Sequence, residues 1–424
     1  MELSEINPDQ VQDQIQYPQQ RPEPLKKKAS FAAGLIIGLC MGLIAAGIVA
    51  VAAYRHYTRL IAPGKVVDEF TIQKINLLSD VIDTYSYDYM NDEYTVEEKR
   101  DGLYRGIVDA IGDKYSAYMT AEELAEELED NAGVYYGIGA YVSLTEDGYP
   151  YLSGIMEGTP AEKAQLRSGD VIVEVDGESV QGWDLDEAVA HIRGEEGTVV
   201  HLKIYREGER EYLEIDVTRG EVQSQTVAHE MLEDDIGYIV IAHFDYVTIE
   251  QFAEAYKDIR DHGAKGLIID LRGNPGGLVT SVVGVAEQIL PKGLVFYEES
   301  TNGRRIDYPC DGQNEIDIPL VVLVDQYSAS AAEILSGSIR DHGVGTLVGK
   351  NTFGKGIVQD VKQLSDGSAV KLTVSAYYLP NGDNIQGTGI APDVEVDLDV
   401  DAYYDEGIDT QLDKAIEVLR SQMK

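Results

Sequence analysis

Three continuous apolar runs constrain this chain most. "IGYIVIAHF", "GLIIDLRG" and "PLVVLVD" follow one another from Ile236 onward. Each is trailed by a helical stretch: Thr248 to His262, about Val279 to Leu290, and the Ala-rich segment after Ser330. Strands apolar on both faces need cover on both sides, so this order predicts a mostly parallel sheet layered by helices, an α/β core. "TFGKGIVQDVKQL" and "SAVKLTVSAYYL" then read as a hairpin turning at Ser365-Asp366-Gly367-Ser368. The stretch "STNGRRIDYPCDGQNEIDI" offers no pattern to read, and no internal repeat is visible.

Ahead of this core the periods change. From Val66 to about Leu128 apolar residues recur at helical spacing, as in "FTIQKINLLSDVIDTY" and "YTVEEKRDGLYRGIVDAIG", which predicts two or three amphipathic helices. From about Gly133 the chain reads as short strands, "GVYYGIGAYVSL", "YPYLSGIM", "DVIVEVDG", "TVVHLKIYR" and "EYLEIDVTR", interrupted by the helical pieces "TPAEKAQLR" and "WDLDEAVAHIR". The glycines of Tyr136-Gly137-Ile138-Gly139 would let another backbone approach closely. An ordinary hairpin turn has the same composition.

Location rests on one segment. No charged residue stands between Lys28 and Arg55, and the mostly apolar stretch Ala29 to Tyr54 is long enough for one bilayer crossing of about 20 residues. Lys26, Lys27 and Lys28 abut its start and favour a cytoplasmic N-terminus, against the weaker counter-signal of Arg55 and Arg59. A cleaved signal peptide is the rival reading, disfavoured by the length and late start of the stretch. The Gln/Pro/Glu-rich tail of residues 1–28 reads as disordered. The expectation is a single-pass protein of the cell membrane with its C-terminal bulk outside the cytoplasm.

Charge and cysteine narrow the partners. A formal net charge of -41 repels polynucleotides, so no nucleic-acid partner is expected. Cys40 and Cys310 alone exclude a disulfide framework. The histidines and cysteines show no ligand spacing, so no metal or other cofactor is implied.

Two stretches carry candidate chemistry. "DLRGNPGG", Asp270 to Gly277, follows a buried strand and leaves backbone N–H groups exposed at the sheet edge, as an oxyanion hole requires; a packing turn has the same glycines. In "VDQYSASAAEILSG", Ser330 opens a helix and fits the S-x-x-E capping box with Glu333, yet a serine there also faces free helix N–H groups that favour a developing anion. Ser328 could be the cap instead. A serine nucleophile needs a base. His243, His262 or His342 with Asp270 could form a triad. Lys355 in "FGKGIVQ" stands at the start of a strand, where Lys355, Ile357 and Gln359 share a face; a solvent-facing lysine is the plain alternative.

The combination decides among these. "GTPAEKAQLRSGDVIVEVDGESV" resembles a PDZ domain over residues 131–220. "DLRGNPGG", "YSASAAEI", "FGKGIVQ" and "NIQGTGIAPDVEV", in that order behind it, resemble the carboxyl-terminal processing (tail-specific) proteases over residues 66–424. The resemblance implies Ser330 as nucleophile, Lys355 as general base, Gln359 as its orienting amide, and oxyanion N–H groups from Gly276 and Ala331. Ser328 becomes structural. It further implies a loop at Tyr136, Gly137, Ile138 and Gly139 that takes a substrate's terminal carboxylate, protein or peptide substrates with a free C-terminus, and homodimers through helical and C-terminal segments.

The implied fold is an α/β core of the crotonase/ClpP kind over 221–424, with the PDZ domain at 131–220 and a helical region at 55–130. A transmembrane helix at 29–54 and the cytoplasmic tail at 1–28 precede them. Ala332 and Asp383 depart from the usual residues of relatives and touch substrate fit more than chemistry. Two other classes remain: a membrane-anchored PDZ scaffold with an inactive core, which intact Ser330 and Lys355 disfavour, and a crotonase-like acyl enzyme, which would need no PDZ segment.

Overall fold

The structure, a computed structural model, describes residues 67–85 and 95–423. The predicted tail at 1–28 and membrane span at 29–54 lie outside the described residues. Among the described residues no helix is long and apolar enough to cross a membrane. The chain divides into two units, Met1–Tyr94 and Thr95–Lys424. The first contributes helix α1 (Glu69–Tyr85), whose apolar residues at helical spacing, among them Phe70, Leu77 and Ile82, are exposed.

The second unit opens with α2 (Val96–Asp109), β1 (Ala117–Met119) and α3 (Ala121–Ala132). Thr95 caps α2 and Thr120 caps α3, each with the glutamate three residues on accepting the cap's own N–H, which ends the strand-like or loop path and starts the helix. Gly133, at φ 65°, stops α3 in the left-handed conformation. The expected helices are therefore present, but β1 between them joins the core, pairing antiparallel with a late strand in the register Ala117↔Lys371. The boundary drawn at residue 130 thus cuts through a region that belongs partly to the core.

β2 (Val134–Gly137) leads into the predicted small domain: β3 (Ala140–Leu144), β4 (Pro150–Ile155), α4 (Pro160–Lys163), β5 (Val171–Val175), β6 (Glu178–Ser179), α5 (Leu185–Ile192), β7 (Val199–Tyr205) and β8 (Leu213–Thr218). Strands run in the order β3-β4-β5-β7-β8, with β6 beside β5. Leu152, Ile172, Val200, Leu202 and Ile204 are inaccessible to water and supply its separate core. β9 (Gly220–Gln223) returns beside β2, so a two-stranded ribbon carries this domain on the core.

The core sheet follows, from β10 (Val227–Leu232), β11 (Ile236–Ile241), α6 (Thr248–Asp261), β12 (Gly266–Asp270) and α7 (Val279–Ala286). A hairpin, β13 (Gly293–Ser300) and β14 (Arg305–Cys310), then precedes β15 (Leu320–Val324), α8 (Ala331–His342), β16 (Thr346–Gly349), β17 (Ile357–Gln363), β18 (Ala369–Tyr378), β19 (Val394–Glu395) and α9 (Thr410–Gln422). The order is β10-β11-β12-β15-β16-β19, parallel except for β10. Every residue of β12 and β15 is buried, as the apolar runs require of strands covered on both faces. α6, α7 and α8 cover one face together with residues of the β13 strand. On the other face α9 lays down Ala415 and Leu419 over Ile268, Val321 and Leu323. The C-terminal helix, read as a dimer element by resemblance, packs on the sheet of its own chain.

The second sheet joins β1, β18, β13 and β14, with β17 on β18. The turn and β14 of its β13–β14 hairpin fall in the stretch that gave no sequence reading, although Asn302-Gly303 marks the turn.

Candidate active site

The Ser330 turn begins where buried β15 ends. Asp325 Oδ1 accepts N–H groups of Gly273 (3.0 Å), Tyr327 (2.9 Å) and Ser328 (3.0 Å), closing the turn after Val324. Ser328 Oγ donates to Leu271 O at 2.7 Å and accepts from Asp325 N at 2.9 Å, so it clamps this turn to the loop after β12. That is the structural part expected of it. Ser330 then adopts φ 54° and ψ -113°, a conformation that costs a non-glycine residue about 1–3 kcal/mol. Strain at a sharp strand-to-helix turn lifts a serine hydroxyl clear of its own backbone, which is what a nucleophile needs.

Glu333 pins this turn to the lysine loop. Its carboxylate is fully buried and receives four donors: Ser330 N–H and Lys355 N–H on Oε2 at 2.9 Å each, and Gly354 N–H (2.7 Å) and the Thr352 hydroxyl (2.5 Å) on Oε1. Four donors offset the cost of burying a carboxylate. The capping-box reading found Glu333 but not this wider role, because Thr352, Gly354 and Lys355 come to it from a distant loop.

The glycine loop lies against the serine. A Cβ on Gly276, at φ 110°, would fall 2.8 Å from Ser330 Cβ and 3.0 Å from Ala331 N, so only glycine fits. Its N–H, expected in the oxyanion hole, donates instead to Asn274 Oδ1 at 2.8 Å, while Asn274 Nδ2 donates to Ile241 O at 2.7 Å. The N–H groups of Ala331 and Gly277 have no acceptor among the described residues, and both residues line the cleft. Gly277 is bridged to Phe244, whose N–H donates to Gly276 O at 2.9 Å.

That cleft, about 520 Å³, also gathers Ser330, Lys355, Gln359, Lys371 and His243. Lys355 precedes β17 rather than opening it, and the ladder with β18 shifts register between Val358 and Gln359. The extra residue of that shift is Val374 on β18, so the alternation along β17 is kept, and Lys355, Ile357, Gln359 and Val361 all line the cleft as the every-second-residue face predicts. Lys355 Nζ stands 4.9 Å from the Tyr115 ring centroid, and Gln359 Nε2 donates to Thr373 Oγ1 at 3.2 Å. No hydrogen bond joins Lys355 Nζ to Ser330 or to Gln359 among the described residues. Burial pushes the Lys355 ammonium below its ordinary pKa, and neighbouring Lys371 pushes the same way, while Asp113 and Glu333 oppose them. Lys371 is itself paired with Glu127 of α3 at 2.6 Å.

Of the histidines weighed, only His243 lines the cleft, and its Nδ1 is hydrogen-bonded to Asp245 rather than to Asp270. Asp270 is committed to Arg272 (2.6 Å) and to the Tyr238 hydroxyl (2.6 Å). His262 bonds Asp258 O and His342 bonds Leu294 O, both on helix ends away from Ser330.

In the small domain, Tyr136 and Gly137 belong to β2 and pair with β9, which narrows the expected carboxylate loop to Ile138 and Gly139. Their carbonyls turn inward: Ala161 N–H donates to Ile138 O (2.7 Å), and the Thr159 hydroxyl to Gly139 O (3.1 Å). The N–H groups of Ile138 and Gly139 have no acceptor among the described residues. Gly139, at φ 77°, is compelled, since a Cβ there would meet Thr159 Cβ at 2.3 Å.

Comparison with known proteins agrees with both halves. Peptidase family S41 matches residues 235–396 and a PDZ domain matches residues 151–206. The carboxy-terminal processing protease CtpA of Bacillus subtilis is 36% identical over 326 residues, covering 77% of this chain and 69% of that protein. A probable CtpA-like serine protease of Staphylococcus haemolyticus is 32% identical over 430 residues, covering 97% and 84%. Among solved structures, the photosystem II D1 C-terminal processing protease is 29% identical and covers 87% of this chain and 96% of that one, with a TM-score of 0.45. With a strained serine, an open N–H pair and a peptide-binding domain in one chain, this protein belongs to peptidase family S41 and is a serine peptidase of the carboxy-terminal processing type.

Proposed function

We propose that this chain is a membrane-anchored endopeptidase that cuts extracytoplasmic proteins near their C-termini, using Ser330 as nucleophile and Lys355 as general base. The observation that supports this most is the sharing of Glu333 Oε2 by the Ser330 and Lys355 N–H groups at 2.9 Å each, which ties the two loops into one unit. Neutral Lys355 Nζ takes the hydroxyl proton as Ser330 Oγ attacks the scissile carbonyl. The oxyanion is met by the N–H groups of Ala331 and Gly277. The intermediate collapses, the C-terminal fragment leaves as an amine with the proton from Lys355, and water, deprotonated by Lys355, releases the shortened protein from Ser330. Gln359 orients the lysine once it leaves Thr373.

The PDZ domain supplies the substrate's address. Open N–H groups at Ile138 and Gly139 suit a terminal carboxylate, and a tail laid along β3 beside α5 would extend that sheet. Two copies would pair through the apolar residues exposed on α2 and just past its end, Leu103, Ile107 and Ile111.

A fluorogenic tail-peptide assay on the full chain, repeated on Ser330→Ala and Lys355→Ala, tests the reaction. A fluorophosphonate probe that labels the unsubstituted chain but not Ser330→Ala marks the nucleophile. Protease shaving of intact cells should remove a C-terminal tag, and survival of that tag would defeat the outward-facing anchor.

A further inference from the structure

Tyr115 sits in the turn Asp113–Ser116, between α2 and β1, and the Lys355 ammonium rests on its ring face at 4.9 Å. The turn is self-bonded: Asp113 Oδ1 accepts Tyr115 N–H at 3.1 Å and Oδ2 accepts the Ser116 hydroxyl at 2.7 Å. It is also bonded to β18. Thr373 N–H donates to Ser116 Oγ at 3.3 Å, and the Thr373 hydroxyl bonds the Asp113 side chain, the largest influence holding that carboxyl below its usual range. The same Thr373 hydroxyl accepts from Gln359 Nε2. One turn therefore touches the lysine directly and the glutamine through a single threonine.

An aromatic face attracts an ammonium and does nothing comparable for a neutral amine. An ammonium held there could not accept a proton from Ser330, and Lys355 Nζ makes no hydrogen bond to that residue among the described residues. We infer that Tyr115 is a positioning residue for the general base: its ring stores Lys355 as an ammonium, Asp113 stores Gln359 through Thr373, and movement of the turn frees both together. This rests on Lys355 being the base.

Other groups around the lysine pull both ways. Lys114 Nζ lies 4.7 Å from the same ring and 5.7 Å from that of Phe353, and repels Lys355; Lys371 on β18 repels it too but is paired with Glu127. Asp113 and Glu333 attract it, and the Arg105–Glu123 pair lines the same hollow. Replacing Tyr115 by leucine keeps apolar cover over the amine and removes only the ring face.

Competitive acylation of lysines in the full-length Ser330→Ala chain, read by mass spectrometry of the Lys355 peptide across pH, gives the midpoint of this one amine without any turnover. In Tyr115→Leu the midpoint should fall by roughly 0.5–1 pH unit, while Tyr115→Phe keeps it within about 0.3 unit. In the active chain the acidic limb of kcat/KM should move down with it, raising turnover below neutral pH. A Tyr115→Leu midpoint that stays or rises overturns the proposal. Undiminished turnover in Lys355→Ala removes the base role and the positioning role with it, whereas a lowered midpoint would still show that the ring holds the ammonium.

Discussion

Ser330 and Lys355 donate their backbone N–H groups to the same oxygen, Glu333 Oε2, at 2.9 Å each. The two residues are thus fixed by main chain, while their side chains remain apart. Glu333→Gln replaces an oxygen that accepts two donors with an amide that is itself a donor. Leaving buried N–H groups unmet costs about 1–3 kcal/mol each. The variant should melt earlier and lose kcat at least tenfold at a temperature where it is still folded; wild-type kcat in a folded Glu333→Gln chain would show that the tie does not matter.

Gly276→Ala tests the other wall of the site. Its Cβ would stand 2.8 Å from Ser330 Cβ and 3.0 Å from the open Ala331 N–H, and at φ 110° alanine is strained besides. Turnover should drop by about 10²-fold or more, the scale of losing an oxyanion donor, while tail-peptide binding by the PDZ domain stays unchanged. Equal losses of binding and turnover would instead indicate general unfolding.

Much of this was open to reading in the sequence. Fully buried β12 and β15 announce themselves as continuous apolar runs, broken only at the end of β12 by Asp270, which Arg272 and Tyr238 partner. Ser330 and Lys355 were legible because each sits in a short motif whose order along the chain is distinctive. Gly277, Thr373 and Tyr115 were not, since each matters only through contacts made across the fold. Asn274 diverts the Gly276 N–H by a side-chain bond of 2.8 Å that no spacing rule anticipates. The register shift opposite Val358 and Gln359 likewise leaves no mark on composition, although Lys355 and Gln359 still line one cleft as their spacing predicts.

The carboxylate loop makes a separable prediction. Gly139→Ala forces a Cβ to within 2.3 Å of Thr159 Cβ and must reshape the loop. Affinity for a tail peptide should fall about tenfold, appearing in KM rather than kcat, and a C-terminally amidated peptide should bind the unsubstituted chain as weakly. If acid and amide peptides bind alike, the loop does not read the carboxylate.

Acid should loosen the C-terminal helix. Asp409 caps α9 and pairs with Arg272 at 2.8 Å, and Arg272 also grips Asp270 just ahead of the glycine loop. Burial works against the Asp409 carboxylate, but the Arg272 guanidinium and the N–H groups of Leu412 and Gln411 hold it below its usual pKa. A depressed carboxyl stabilises the fold above its unfolded value of about 3.9, and that contribution is lost as pH falls through the lower folded value. Asp409→Asn should lower the urea midpoint at pH 7 and lower it less at pH 3. A cost equal at both pH values would place the role of Asp409 outside its charge.

The base is the last question, because His243, bonded to Asp245, is the one histidine among the described residues that lines the same cleft as Ser330. Ser330 needs a partner that is unprotonated at working pH. Lys355 is pushed in that direction chiefly by burial, so activity should rise with pH along a limb set by an amine below its ordinary value. Lys355→Ala should lose about 10²–10⁴-fold in kcat while still folding and binding tails. Lys355→Arg should not restore it, because guanidinium stays protonated. His243→Ala removes an imidazole already engaged by Asp245 and should leave most turnover intact. The opposite pattern, collapse in His243→Ala with near-normal Lys355→Ala, would hand the proton to the histidine and leave Lys355 a mere lining residue of the cleft.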